Sequence, residues 1–261
     1  MTTGQTVALM QQDASLSPGE KESRLGNRLT IPLIPPQPIH ACGYDFILRF
    51  EQKGLTLYST KPDAPGGLCV DFTGNAIQRR GRESLKNQNL GKALGLKTLR
   101  NPAILDATAG LGTDSYLFAA AACHVTMLEK HPVVHALLED GMERAASHDL
   151  ALKAIMSRMH LTAADLLHAE LATESFDVVY LDPMFPAKKK SARSGKGMYL
   201  LQQLIVESSD EVAMLEHALK LARKRVVVKR ARLSPSIGEK RPDISFTGSS
   251  NRFDVYFGPG N

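Results

Sequence analysis

Residues 103–129 constrain the fold of this chain more than any other stretch. A short apolar run, Ala103 to Leu105, ends at Asp106 and is followed by a turn holding Gly110 and Gly112. An apolar stretch from Tyr116 to Ala122 then reads as a helix, and His124 to Leu128 reads as a second strand ending at Glu129. A strand, a tight glycine turn, a helix and a second strand form the repeating unit of a parallel sheet. The pattern continues down the chain. Residues 84–95 read as a helix, as do Pro132 to Arg144, where Val133, Leu137, Leu138 and Met142 share one face, and residues 199–222. Strands are expected at Leu161-Thr162, Phe176 to Leu181 and Arg225 to Val228, and two more at Ile244 to Phe246 and Phe253 to Phe257. The reading is an α/β domain over 81–261 with a doubly wound, mostly parallel seven-stranded sheet. Its last two strands, with no helix between them, form an edge hairpin.

Residues 1–80 have another texture and are expected to form a small β-rich domain. Residues 1–30 lack periodicity, and four prolines between Ile31 and Pro38 argue for a loop or edge segment. Phe46 to Phe50 and Leu55 to Tyr58 flank Lys53-Gly54 as a hairpin would, and Leu68 to Phe72 reads as a further strand. No basic start followed by an apolar stretch marks a secretory signal, and the longest apolar run, Tyr116 to Cys123, is too short to span a bilayer. Three widely spaced cysteines, none in a Cys-x-x-Cys pair, fit neither a disulfide framework nor a zinc site. A cytoplasmic protein with no membrane and no metal partner is the expectation. The net charge of +5 and pI near 9.1 suggest a polyanionic partner.

The glycine turn narrows the ligand. No Gly-Lys-Ser/Thr follows it, so it is not a P-loop, and the dinucleotide pattern Gly-x-Gly-x-x-Gly fails at its third glycine, which is Ser115. Glu129 stands 19 residues after Gly110, where a carboxylate accepts hydrogen bonds from a ribose diol. That spacing serves nicotinamide and S-adenosylmethionine equally. A plain strand-to-helix turn is the competing structural explanation.

Asp182-Pro183-Met184-Phe185-Pro186 stands at the end of the strand Phe176 to Leu181. It resembles the Asp/Asn-Pro-Pro-aromatic motif of methyltransferases acting on exocyclic or amide nitrogens, departing from it at Met184. An aryl amine is a poor nucleophile because its lone pair is delocalised into the ring. A carboxylate at Asp182 can accept its N–H bonds and draw the nitrogen towards tetrahedral geometry. Phe185 can stack on the base, while Pro183 sets the turn without presenting a donor. These three are the candidate catalytic residues. Lys188, Lys189, Lys190 and Arg193 follow at once, and Lys229 and Arg230 lie further on. Residues 188–232 hold twelve lysines and arginines against four acidic residues, which marks these six as candidate RNA contacts. At this level four functions stay open: an RNA guanine amine methyltransferase, a DNA adenine or cytosine amino-methyltransferase, a protein glutamine methyltransferase and a non-enzymatic RNA-binding module.

Asp106 to Gly112, Met127 to Pro132, Leu137 to Gly141, Tyr180 to Pro186 and Val226 to Arg230, taken together, resemble the bacterial ribosomal RNA small-subunit methyltransferase J family over about residues 68–257. The resemblance implies a Rossmann-like class I methyltransferase that uses S-adenosylmethionine and modifies the 2-amino group of one guanine near the 3′ end of small-subunit ribosomal RNA. The partner would be that RNA or the assembled small subunit. Besides Asp106, Gly110 and Gly112 of the turn, the resemblance puts Thr113, Asp114, Glu129, Lys130, Ala164, Asp165 and Asp182 on cofactor-contacting positions. Thr113 stands where the family often has arginine, and Ala164-Asp165 replaces small hydroxyl residues. No metal is called for, because the sulfonium is itself a reactive leaving group.

Overall fold

A computed structural model of the chain describes residues 5–13, 19–64, 66–183, 196–205, 210–238 and 240–260. In chain order the elements are β1 (Val7–Met10), α1 (Glu20–Leu29), β2 (Leu33–Ile34), β3 (Phe46–Glu51), β4 (Gly54–Ser59), α2 (Asn75–Arg82), α3 (Asn89–Ala93), β5 (Ala103–Asp106), α4 (Thr113–Ala120), β6 (His124–Leu128) and α5 (Pro132–Ala146). There follow α6 (Leu150–Met156), β7 (Met159–Thr162), β8 (Phe176–Leu181), α7 (Lys196–Leu204), α8 (Glu211–Leu221), β9 (Ala222–Ala231), β10 (Ile244–Thr247) and β11 (Asn251–Phe257). They gather into two compact units. One comprises the described parts of 1–71, 136–144 and 185–208, the other those of 72–135, 145–184 and 209–261.

The first unit is built on a four-stranded sheet in the order β2-β1-β3-β4. β1 runs parallel to β2 and β3, and β3 and β4 form the expected hairpin. Its turn ends at Gly54, whose φ of +117° favours glycine, and a side chain there would meet Arg144 and Asp140. Asp140 Oδ2 accepts hydrogen bonds from the Leu55 amide (3.0 Å) and Arg144 Nε (2.8 Å). Two expectations are corrected here. Residues 1–30 hold a central strand and a helix, whose periodicity is hidden because Ala8, Leu9 and Met10 are all buried and the buried face of α1 is Glu22, Leu25 and Gly26, with one apolar side chain. Leu68 to Phe72 pairs with β4 only at Leu57, and the Val70 carbonyl accepts from the Arg144 guanidinium instead of a ladder partner.

The second unit carries the seven-stranded sheet among the described residues, in the order β10-β11-β9-β8-β5-β6-β7. β5 to β9 are mutually parallel, and β11 and β10 close one edge antiparallel. Strands buried on both faces explain the continuous apolar runs. Leu105, Val179, Leu181, Val226 and Val228 pack with Met214, Leu215, Ala218 and Leu221 of α8 on one face. Within this unit Phe118 also meets Tyr180 edge to face at 5.0 Å, and Phe72 stacks on Tyr116 at 5.4 Å. The helix expected over 84–95 is broken into a 3₁₀ turn, Leu85–Asn87, and the short α3. Gly91 there lies so close to the Leu85 carbonyl that a Cβ would sit 1.9 Å from its oxygen. The helix expected over 199–222 is two helices. Asp210 caps the second, accepting from the Ala213 amide at 3.0 Å.

Candidate active site

Strand β5 lies between β6 and β8, so the chain moves outward from it in both directions. In a doubly wound sheet, ligands bind at the carboxyl ends of the strands at this switch point. Asp106 ends β5, Glu129 directly follows β6 and Asp182 directly follows β8. The topology therefore brings together three carboxylates that the sequence separates by up to 76 residues.

Between β5 and α4 the backbone turns through Gly110 (φ +54°) and Gly112 (φ +70°), both in the left-handed region. A side chain at Gly110 would project into open space, the nearest atom being the Thr108 carbonyl oxygen at 3.9 Å. Glycine here keeps that space clear. Glu129 closes the turn from the side: its Oε2 accepts from the Gly110 amide (2.9 Å) and its Oε1 from the His131 amide (2.7 Å). Only 7% of Glu129 is exposed, and burial pushes its carboxyl up to about 7 despite the two amides. The carboxylate has lone pairs left for a ribose diol, and the cleared turn leaves room for a nucleoside. This chain's residues thus fit S-adenosylmethionine, which Gly110, Gly112 and Glu129 would hold.

The far side of the turn is tied to the loop after β8. Asp106 Oδ2 accepts from Ser115 Oγ at 2.5 Å, and Oδ1 from the Thr108 amide at 3.2 Å. Thr108 Oγ1 in turn accepts the Asp182 amide at 2.7 Å. Asp114, in the first turn of α4, accepts at Oδ2 from the Tyr180 hydroxyl (2.7 Å) and from Lys229 Nζ (2.8 Å). The same Nζ donates to Asp182 Oδ2 at 2.9 Å. Among the described residues none bonds Asp182 Oδ1, and 36% of that side chain is open. Burial and the Asp114 charge hold the Asp182 carboxyl above its ordinary value even with Lys229 pulling it down, although water at the open side relieves part of that penalty. Burial also opposes the Lys229 charge, but Asp182 and Asp114 outweigh it and raise its pKa. Tyr180, fully buried beside three carboxylates, is pushed well above the phenol range.

The other expected residues fall in several places. Lys130 pairs with Asp165 at 3.3 Å, and Asp165 Oδ1 accepts the Leu167 amide at 3.2 Å. Ala164 is partly buried and Thr113 exposed. Pro183 is buried behind Asp182. Phe185, Lys188, Lys189, Lys190 and Arg193 lie outside the described residues. Two of the expected RNA contacts have partners within the protein. Arg230 is 4% exposed, donating Nη1 to Glu211 (2.8 Å) and Nε and Nη2 to the Pro235 carbonyl (3.1 and 2.8 Å), so it does not face a phosphate. Lys229 serves two carboxylates of the site itself. Thr108, Ser115 and Tyr180 also join the site; of these Ser115 has a local sequence signal, being a hydroxyl where a dinucleotide turn has its third glycine.

A profile of the SAM_MT family, described as "Putative SAM-dependent methyltransferase", matches residues 39–258. The chain is 41% identical over 241 residues to ribosomal RNA small subunit methyltransferase J of Thioalkalivibrio sulfidiphilus, covering 91% of this chain and 92% of that protein. It is 40% identical over 260 residues to the protein of that name from Pseudomonas paraeruginosa, covering 98% and 97%. The crystal structure of the SAM-dependent methyltransferase NGO1261 from Neisseria gonorrhoeae superposes with a TM-score of 0.71 at 31% identity, covering 98% of this chain and 97% of that one. The fold is that of a class I methyltransferase, and S-adenosylmethionine is the cofactor. Likeness of this extent, on a sheet whose switch point carries the glycine turn and three carboxylates, settles the membership: the chain belongs to the ribosomal RNA small subunit methyltransferase J family within SAM_MT.

Proposed function

We propose that this enzyme methylates the exocyclic 2-amino group of one guanine near the 3′ end of small-subunit ribosomal RNA, as free RNA or in the assembled subunit. The names of the relatives support the RNA class. The choice of an amine rests on Asp182, a carboxylate with one oxygen pinned by Lys229 and the other unbonded among the described residues, beside the glycine turn. S-adenosylmethionine, when bound, supplies an electrophilic methyl group on a sulfonium. Gly110, Gly112 and Glu129 would hold its nucleoside part, with Asp114, Lys130, Asp165 and their neighbours Thr113 and Ala164 bordering it.

Asp182 would accept an N–H of the guanine amine. That contact turns the nitrogen lone pair out of conjugation and stabilises positive charge on nitrogen as the nitrogen–carbon bond forms and the methyl–sulfur bond breaks, its electron pair going to sulfur and the surplus amine proton leaving to solvent. Pro183 rigidifies the turn that presents the carboxylate. Phe185 is the proposed stacking platform, and Lys188, Lys189, Lys190 and Arg193 are the proposed phosphate contacts. Exposed Arg79, Arg80 and Arg82 on α2, a helix without acidic residues, add to the positive surface of the second unit. No described helix is long and apolar enough to cross a membrane. No group of described residues could hold a metal ion.

Mass spectrometry of nuclease digests of small-subunit RNA, from a strain lacking the gene and from the same strain complemented, tests the assignment. Loss and restoration of one N2-methylguanine near the 3′ end is the expected result. A lost mark on an adenine or cytosine amine, or no lost mark, contradicts it.

A further inference from the structure

Three carboxylates from three elements converge at the site: Asp106 of β5, Asp114 of α4 and Asp182 after β8. Their mutual repulsion would favour protonation of whichever titrates first. Among the described residues, Lys229 of β9 is the cation that bonds two of them, 2.8 Å from Asp114 and 2.9 Å from Asp182. Its side chain is 26% exposed, so it is poorly placed to share its charge with a passing phosphate. An ammonium has three donors, and two are spent on carboxylates that belong to opposite halves of the reaction as proposed. Asp114 borders the cofactor turn and Asp182 meets the amine. Neighbouring Arg230 makes a different use of its charge, bracing Glu211 and the Pro235 carbonyl.

We propose that Lys229 is a positioning residue for methyl transfer, pinning Oδ2 of Asp182 and keeping that carboxylate ionised so that Oδ1 is left to the target amine. The proposal rests on the role of Asp182 given above. Among the described residues, the groups facing Asp182 are Asp106 and Thr108 at the end of β5, Asp114 on α4, Tyr180 on β8 and Lys229 on β9. All but Lys229 are acidic or neutral. Without the ammonium, Asp182 keeps its proton to higher pH, and its protonated oxygen competes as a donor with the amine it should accept from. The Thr108 hydroxyl still holds the Asp182 backbone, so the loop's position survives while the carboxylate's charge and aim do not.

The test uses full-length Lys229→Met, which keeps an unbranched stem without charge, and Lys229→Arg, which keeps the charge. Asp182→Ala is the reference. Single-turnover methyl transfer from labelled S-adenosylmethionine to undermethylated small-subunit particles is followed against pH, with cofactor and particles saturating. Lys229→Met is expected to lose about 10²-fold at neutral pH, the scale of one preorganised charge. The acid limb of its profile should move up by about one unit, the effect on a carboxylate of losing an adjacent cation. Lys229→Arg should keep the limb where wild type has it. A Lys229→Met enzyme with wild-type rate and an unmoved limb overturns the proposal. So does a change confined to particle affinity and its salt dependence, which would make Lys229 a phosphate contact. If Lys229→Met does not fold, Lys229→Arg still decides, because a displaced acid limb with the cation present contradicts the argument. An Asp182→Ala enzyme that keeps its rate would instead sink the reading beneath it, and the two failures are thereby told apart.

Discussion

Asp106 and Glu129 are buried carboxyls that, among the described residues, are satisfied by hydrogen bonds and not by a direct ion pair. Ser115 and the Thr108 amide serve Asp106, and the Gly110 and His131 amides serve Glu129. Burial lifts Asp106 from 3.8 to about 7 and Glu129 from 4.5 to about 7. Between those values the folded protein holds protons that the unfolded chain has released, so stability falls as pH rises through this window. The cofactor-free protein should therefore lose on the order of a few kcal/mol between about pH 5 and about pH 8. Asp106→Asn, which cannot titrate, should flatten the fall. Urea unfolding midpoints across that range check both statements. Stability rising with pH in the wild type, or an unchanged slope in Asp106→Asn, would count against protonation of these groups. Glu51 does not confuse the window. Burial opposes its charge, but Tyr58, Arg49 and Lys53 outweigh it and bring it to about 2, so it loses its contribution only at more acid pH.

Among elements, α4 and the turn before it do the most to shape the site. Gly112 is the residue before α4 and sits at φ +70° and ψ 14°. A Cβ in that conformation costs about 1–2 kcal/mol. Gly112→Ala should lower the unfolding free energy by about that amount with an unchanged denaturant slope, and weaken S-adenosylmethionine binding as well. Gly112→Asn should lose less, because asparagine tolerates this region better. Equal stability in Gly112→Ala would mean that the turn does not need its left-handed residue. This turn was legible in the sequence because glycine spacing and a strand-ending acid are local signals, as were β6 and β8, whose apolar runs were bounded by charge. β1 and α1 were not legible: a four-residue strand buried on both faces has no alternation, and α1 has no apolar stripe. Nor was the Asp114–Lys229–Asp182 arrangement, whose members lie 47 to 115 residues apart and meet only through strand order. Lys229 stood in a basic run and invited a phosphate role. Its actual partners follow from lying on β9, next to β8.

For the molecule as a whole, each unit has its own sheet, and every described residue of the candidate site belongs to the seven-stranded one. The doubly wound order supplies the place, the ends of β5, β6 and β8. On the proposed reading, side chains at those ends supply the chemistry: Glu129 for the cofactor's nucleoside, and Asp182, aimed by Lys229, for the amine. On that reading, Asp182 acts on the amine while the rest of the site holds the cofactor. Single-turnover methyl transfer by Asp182→Ala, at saturating S-adenosylmethionine on undermethylated small-subunit particles, tests it most directly. A loss of about 10²–10³ in rate is expected, the worth of one preorganised acceptor, with Asp182→Asn keeping more activity than alanine because it retains an oxygen acceptor. An Asp182→Ala enzyme that transfers methyl groups at close to the wild-type rate would contradict it.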